Sequence, residues 1–240
     1  RRADTVVHYD ENFAACHLNQ RDGEHVGVVT ALAWSPRPYV FCNGAYTIAT
    51  ASADGTVRLW RAERGGGCEV ALRGHNKRVT AVSFAQGGGE LISSSVDGTV
   101  HVWGIGPVAG RRKPIVLGHT GAVEAVAASP TEGLCAATDR DFVMVWRLQA
   151  LAALDNEWKQ LHADERSAAA ELHITESKWQ RAAGSEGRSR EVCEVVRASH
   201  GTTGREWAAA ARRLAGLEYV LRAGDHGAVL SMNWSETDHQ

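Results

Sequence analysis

The stretch Ser95-Val96-Asp97-Gly98-Thr99-Val100-His101-Val102-Trp103 reads as a tight turn feeding an alternating strand that stops at a tryptophan. A near twin, Ser52-Ala53-Asp54-Gly55-Thr56-Val57-Arg58-Leu59-Trp60, precedes it, and a looser copy, Asp139-Arg140-Asp141-Phe142-Val143-Met144-Val145-Trp146, follows it. The three tryptophans stand at 60, 103 and 146, a constant step of 43 residues. Working outward, each run is preceded by a histidine, in Glu24-His25, Gly74-His75 and Gly118-His119. An alternating apolar segment such as Val79-Thr80-Ala81-Val82-Ser83-Phe84 follows the histidine. In the second unit, Glu69 to Leu72, Val79 to Phe84, Glu90 to Ser95 and Thr99 to Trp103 all have the period-2 pattern of half-buried strands. Four strands per period of about 40 to 45 residues is the pattern of a propeller blade.

Gly-His, Ser-x-Asp-Gly and a terminal Trp recurring together resemble the WD-repeat family. The resemblance implies an all-β propeller whose blades each hold a hydrogen-bond network of a buried histidine, a strand hydroxyl, a turn aspartate and the tryptophan. On this sequence the network would be His25, Ser52, Asp54 and Trp60 in the first complete unit, and His75, Ser95, Asp97 and Trp103 in the second. The third offers His119, Asp139 and Trp146, but Ala137 stands where the serine should be. The aspartate that gives the family its name is absent after all three tryptophans, which precede Arg61, Gly104 and Arg147. The serine, histidine and aspartate are not read as a hydrolytic triad. A catalytic set is needed once, whereas this one returns with every tryptophan.

The repeat divides the chain. Residues 1–22 end an incomplete blade, with Tyr9 in the tryptophan place and Phe13 to Leu18 as its outer strand. Residues 23–66 are the first complete repeat and 67–110 the second. The third is split into 111–147 and 217–224 around an insertion, 148–216. Residues 225–240 resemble the first strand of a further blade. Fifteen strands result, whereas a seven-bladed ring has about 28, so the sequence reads as an incomplete part of a larger ring. Open ends of such an array would expose apolar faces.

The split is placed by matching Val220-Leu221-Arg222 to the outer-strand segments Val70-Ala71-Leu72 and Ile115-Val116-Leu117. From Arg147 to Ala183 there is no glycine or proline, and Leu148, Leu151, Leu154, Trp158 and Leu161 recur at steps of 3 and 4, which predicts an amphipathic helix. Gly184 to Ser189 should break it, and Gly204 to Leu217 should form a second helix, giving an antiparallel pair. A smaller insertion around Pro36 to Gly44 would emerge on the same face of the ring.

The 240 residues carry a net charge of −2 and are 44% hydrophobic, which excludes wholesale disorder and gives no electrostatic footprint of a nucleic-acid protein. Five scattered cysteines without Cys-x-x-Cys spacing offer no zinc site and suit a reducing compartment. No apolar run is long enough to span a membrane, so an intracellular protein, cytoplasmic or nuclear, is expected. No phosphate-cradling loop, His-Glu-x-x-His or Gly-x-Ser-x-Gly motif is present. The expectation is a non-enzymatic scaffold subunit of a multi-subunit eukaryotic assembly, with no cofactor, metal or small-molecule substrate and with the insertion as a docking arm. Aromatic residues are enriched where partners bind, which makes Tyr39, Phe41, Trp158, Trp179 and Trp207 the candidate anchors. The alternative is a ribonucleoprotein subunit touching RNA through Arg111, Arg112, Lys113, Arg188 and Arg190.

Overall fold

A computed structural model describes residues 24–38, 46–62, 68–105, 113–129, 131–139, 142–182, 184–198 and 204–222. They form three four-stranded antiparallel sheets, three blades of a β-propeller, with a helical segment attached. The first sheet is β1 (Val29–Trp34), β2 (Thr47–Ser52), β3 (Thr56–Arg61) and β4 (Cys68–Arg73). The second is β5 (Val79–Phe84), β6 (Glu90–Ser95), β7 (Thr99–Gly104) and β8 (Ile115–Gly118). The third has β9 (Ala125–Ala128), β10 (Leu134–Thr138), β11 (Phe142–Arg147) and β12 (Leu217–Arg222) in that spatial order.

Strands β1, β5 and β9 lie side by side as the inner strands, leaving β4, β8 and β12 outermost. Hydroxyls join neighbouring sheets, since Thr30 Oγ1 donates to the Val79 carbonyl at 2.6 Å and Thr80 Oγ1 to that of Val123 at 2.7 Å. Apolar side chains of facing sheets fill the space between, with Ala49, Val57, Leu59, Val79 and Leu91 all at most 1% exposed. On the other side of β1, Leu32 and Trp34 stand 63% and 58% exposed, so the described residues do not close a ring. The two end segments read from the sequence, 1–22 and 225–240, lie outside the described residues.

The insertion leaves β11 and returns to β12, but it is not the helical pair expected. Residues 148–160 wind into two 3-10 segments, Leu148–Asp155 and Trp158–Gln160, rather than one continuous α-helix. Four helices follow, α1 (Ala163–Glu171), α2 (Glu176–Arg181), α3 (Gly184–Ala198) and α4 (Gly204–Ala215). The leucine spacing was satisfied by burial, with Leu148, Leu151, Leu154 and Leu161 at 3% exposure or less. Periodicity alone does not separate an α-helix from a chain of tighter turns. The glycines at 184 and 187 do not break a helix; Gly184, at φ +68°, begins α3.

The insertion runs along the outer edge of the array. Helix α4 packs on β12 and on α1, while α3 reaches back over β8 of the second sheet. There, the Ser185 and Ser189 hydroxyls, one turn apart, accept the N–H groups of Val116 at 3.0 Å and Gly118 at 2.7 Å. An outer strand presents just such unpaired donors, and burying them without partners costs about 1–3 kcal/mol each. Gly118 permits the approach, because a Cβ there would sit 2.5 Å from the Glu186 carbonyl oxygen. At the far end Gly216, at φ +66°, turns α4 into β12, and its carbonyl accepts the Arg147 N–H at 2.7 Å. The carboxylate of Glu218 is buried between Arg147, at 2.6 Å, and Arg212, at 2.5 Å. Among the described residues no helix is long and apolar enough to cross a membrane.

Candidate functional site

In the first blade, His25 Nδ1 lies 3.1 Å from Asp54 Oδ2, and its Nε2 lies 2.7 Å from the Thr50 hydroxyl. Trp60 Nε1 donates to the same hydroxyl at 2.7 Å. In the second, His75 Nδ1 meets Asp97 at 3.1 Å, His75 Nε2 meets Ser93 Oγ at 2.8 Å, and Trp103 Nε1 donates to Ser93 Oγ at 2.9 Å. The hydroxyl at the centre is therefore Thr50 or Ser93, and the assignment of Ser52 and Ser95 is corrected. Those two serines sit at the strand end, where they accept the Asp54 and Asp97 N–H groups at 3.1 Å. Trp60 lies opposite Ile48, so Ser52 is four residues, about 13 Å, along the strand, beyond the reach of the indole. A hydroxyl ten residues before the tryptophan is the signal that finds the right position.

Burial alone would raise the Asp54 and Asp97 carboxyl groups. Hydrogen bonds from the paired histidine, the threonine hydroxyl and backbone N–H groups overcome it and hold both well below the usual carboxylate range. His101 stacks on His75 at a centroid distance of 3.9 Å. Burial, helped by the charge of His75 and opposed by Asp97, pushes it down to about 3.

The third blade is wired differently. His119 keeps its place against Trp146, 6.5 Å between centroids and 70° between planes, much as His75 stands to Trp103 at 6.4 Å and 72°. Yet both ring nitrogens of His119 and Nε1 of Trp146 are buried without a hydrogen-bond partner. Register explains it, since Thr50 pairs with Arg58, Ser93 with His101 and Ala137 with Met144, each two residues before the tryptophan. Ala137 thus occupies the central position and brings no hydroxyl. Asp139 does not bond His119. Its carboxylate accepts the Phe142 N–H at 3.0 Å and pairs with Arg197 of α3 at 2.8 Å. Burial pushes His119 down to about 4, with Asp139 opposing and Arg197 and Arg190 assisting.

Two expected outcomes follow from these contacts. Ala137→Ser should stabilise the protein by about 1–2 kcal/mol, because one oxygen would satisfy His119 and Trp146 together; an unchanged or lowered unfolding midpoint would contradict this. The second concerns pH. Neutral in the fold, His101 and His119 titrate near 6.5 once unfolded, so between that value and about 3 to 4 the unfolded chain binds more protons. Stability therefore falls as pH drops from 7 toward 4, by on the order of 1–2 kcal/mol per histidine at pH 5. The Asp54 and Asp97 contributions, present above the unfolded carboxylate value, are lost on further acidification through their depressed folded values. Urea midpoints that coincide at pH 7.5 and 5 would refute the histidine part.

The tryptophans proposed as anchors are placed otherwise. Trp179 is 0% exposed, donates to the Asn156 carbonyl at 3.1 Å and lies edge-on to Trp158 at 6.5 Å. Trp158 is partly buried against the same core. Both serve the interior of the insertion, and Trp179 is withdrawn as an anchor. Arg188 also points inward, donating to the Leu154 carbonyl at 2.9 Å beneath the Trp179 ring. Arg190 bonds the His119 carbonyl at 3.2 Å and Glu186 at 3.1 Å while its side chain stays 40% exposed, so Arg188 alone is removed as a basic contact for RNA. Lys113 is exposed. Tyr39, Phe41, Arg111, Arg112 and the side chain of Trp207 lie outside the described residues. Among the described residues the outward-facing charged side chains of the insertion include Asp164, Arg166, Glu171, Glu176 and Arg181. Among the described residues, no cluster of three or more histidines, cysteines or carboxylates could hold a metal ion. The Cys135 thiol is buried and pushed up to about 12 by that burial, far from a nucleophile.

Residues 18–61 and 66–104 match the family model of the WD domain, G-beta repeat. The small ribosomal subunit protein RACK1y of Oryza sativa subsp. japonica is 34% identical over 159 residues, 65% of this chain and 43% of that protein. The nuclear distribution protein nudF of Aspergillus flavus is 41% identical over 61 residues, 25% of this chain and 13% of that protein. A probable cytosolic iron-sulfur protein assembly protein 1 of Malassezia globosa is 36% identical over 97 residues, 35% and 25% of the two chains. The chain spans less than half the length of each of these relatives.

Proposed function

Because the chain belongs to the WD-repeat family, whose members generally mediate protein–protein interactions, we propose that it is a non-enzymatic scaffold subunit of a multi-subunit intracellular assembly. The insertion is its docking arm, acting through its charged outer face and not through Trp179, which is buried. One observation carries this reading. Ser185, Ser189, Arg190 and Arg197 fasten α3 to the second and third sheets, so the outer face is held at a fixed place on the array. A pre-positioned surface avoids part of the ordering cost that a mobile arm incurs on binding.

The test uses the intact protein in affinity capture, beside a variant carrying Arg166→Glu and Arg181→Glu, two exposed positions. The variant should keep its unfolding midpoint and lose a defined subset of captured proteins. An unaltered set of captured proteins would remove the docking arm, and failure of the unmodified protein to capture any specific partner would remove the scaffold.

A second reading, a subunit of a ribonucleoprotein particle, is favoured by the relative named for the small ribosomal subunit. With Arg188 buried, it rests on Arg190 and on Lys113 with its neighbours Arg111 and Arg112. Partners lost on nuclease treatment would support it; partners retained would count for protein contacts.

A further inference from the structure

The exposed apolar residues at the start of the first sheet fall into two sets, and the repeat separates them. Val29, Leu32 and Trp34, at 48%, 63% and 58% exposure, hold the register places of Val79, Val82 and Phe84 in the second sheet, which are 9% exposed or less. The first sheet covers those counterparts, so the first set belongs to the open end of the array. Val26 and Val28 differ. They are 95% and 76% exposed on the loop from His25 to β1, and hydrogen bonds fix their equivalents. The Val26 N–H donates to Asp54 as that of Asn76 does to Asp97, both at 2.9 Å, and the Val28 and Arg78 carbonyls accept the N–H groups of Ala53 and Val96. Asn76 and Arg78 are exposed as well, although their sheet has a neighbour on that side. The two valines therefore face outward because of where the loop points, not because a blade is missing.

A single exposed valine needs no explanation. Here two share one short loop beside exposed Ala53, where the sister loops carry Asn76 and Arg78 or Thr120 and Ala122. The next loop supplies charge. A Cβ on Gly55 would lie 3.1 Å from the His75 carbonyl oxygen and 3.3 Å from that of Lys77, so the turn 53–55 stands between the valine loop and residues 75–78. Thr30 Oγ1, two residues after Val28, donates to the carbonyl of Val79, the neighbour of Arg78, at 2.6 Å. Lys77 and Arg78 are exposed, and their side chains form no hydrogen bond or ion pair among the described residues. The carboxylates of Asp54 and Asp97 do not balance them from the surface; they are 13% and 7% exposed and held by His25, His75, Thr56 and Thr99. Exposed Glu24 precedes the valines. The face thus grades from acidic through apolar to basic.

We propose that this face binds a short protein segment in which one large apolar side chain is flanked within a few residues by carboxylates. The apolar group lies on Val26, Val28 and Ala53, and the carboxylates meet Lys77 and Arg78, with Glu24 opposing the reverse orientation. The inference rests on the scaffold reading and deepens it by giving one partner a chemistry. Two cations alone would accept any polyanion, but the valines offer a phosphate backbone nothing.

Selection from a phage-displayed library of random octapeptides on the immobilised intact protein tests it. Enriched sequences should combine a leucine, isoleucine, methionine or aromatic residue with an aspartate or glutamate one to four residues away. A synthetic peptide of the enriched sequence should bind at least tenfold more weakly to the Lys77→Glu, Arg78→Glu variant and at least fivefold more weakly to the Val26→Ser, Val28→Ser variant. Raising salt from about 50 to about 500 mM should weaken it comparably, and both variants should keep the unfolding midpoint of the unmodified protein. Selection without a consensus, a basic consensus, or binding indifferent to the four substitutions would overturn the proposal. A lowered midpoint for the valine variant would also overturn it, by showing that residues 1–22 or a second copy already cover the patch. Tighter binding of an oligouridylate than of the peptide, indifferent to the valines, would assign the two cations to phosphates instead. The two readings fail separately. Partners captured regardless of the four substitutions, by a protein that selects no such peptide, strike the patch alone; a selected peptide bound by a protein that captures no partner strikes the scaffold alone.

Discussion

Arg197→Leu is expected to lower the free energy of unfolding by about 3 kcal/mol or more. Its partner Asp139 is a carboxylate whose side chain is 3% exposed, and removing the Arg197 guanidinium takes away a cation that offsets the desolvation of that charge. The Phe142 N–H and the Thr120 hydroxyl remain to it, which keeps the expected loss toward the lower end of the 3–5 kcal/mol range found for broken buried pairs. The guanidinium also covers the Phe142 ring at 4.3 Å, a contact the leucine replaces only in part. Asp139→Asn should cost less than Arg197→Leu, since a neutral amide needs no counter-charge, and the double variant should cost less than the sum. Urea denaturation measures all three, and a loss under about 1 kcal/mol for Arg197→Leu would show that α3 is not electrostatically tied to the third blade.

Trp103→Ala should cost about 3–5 kcal/mol, the range for removing a large aromatic from a core. The indole is 5% exposed, and it sits between Ser93, which it bonds at 2.9 Å, and the rings of His75 and His101. Trp103→Phe separates the two parts of that cost, keeping most of the packing while orphaning the Ser93 and His75 side of the network, for about 1–2 kcal/mol. Trp60, which makes the same bond but is only half buried, should lose less on truncation than Trp103. Equal losses at both positions would mean that the hydrogen bond outweighs the packing.

The β architecture was legible because it is written three times. Alternation at period 2, Asp-Gly turns and a tryptophan every 43 residues agree with one another, and the register of each sheet follows from them. The central hydroxyl was misplaced by two residues, since Ser52 and Thr50 lie on the same side of one strand and only the reach of an indole distinguishes them. The insertion was less legible, for a physical reason. Its apolar spacing states which residues are buried but not which helix type buries them, and its partner surface is a strand 70 residues earlier, not its own sequence. One mark of that docking was present: Gly118 occupies the register place held by Arg73 in the first blade and Arg222 in the third. Small where its counterparts are long, it belongs to a strand that something approaches closely. Trp179 reads as an anchor because aromatic content alone cannot separate a small internal core from a contact surface.

The insertion's two ends are tied together, through the Arg147 N–H on the Gly216 carbonyl and the clasp of Glu218 by Arg147 and Arg212. That fastening bears on the order of folding. The third sheet cannot acquire its outermost strand until residues 148–216 have been synthesised and have brought Leu217 back beside Trp146. An unstructured excursion of that length would charge the sheet a closure entropy about 2 kcal/mol above that of a short hairpin, but one that folds first delivers its termini already adjacent. The third blade should then mature last, gated by the helices and not by its own strands.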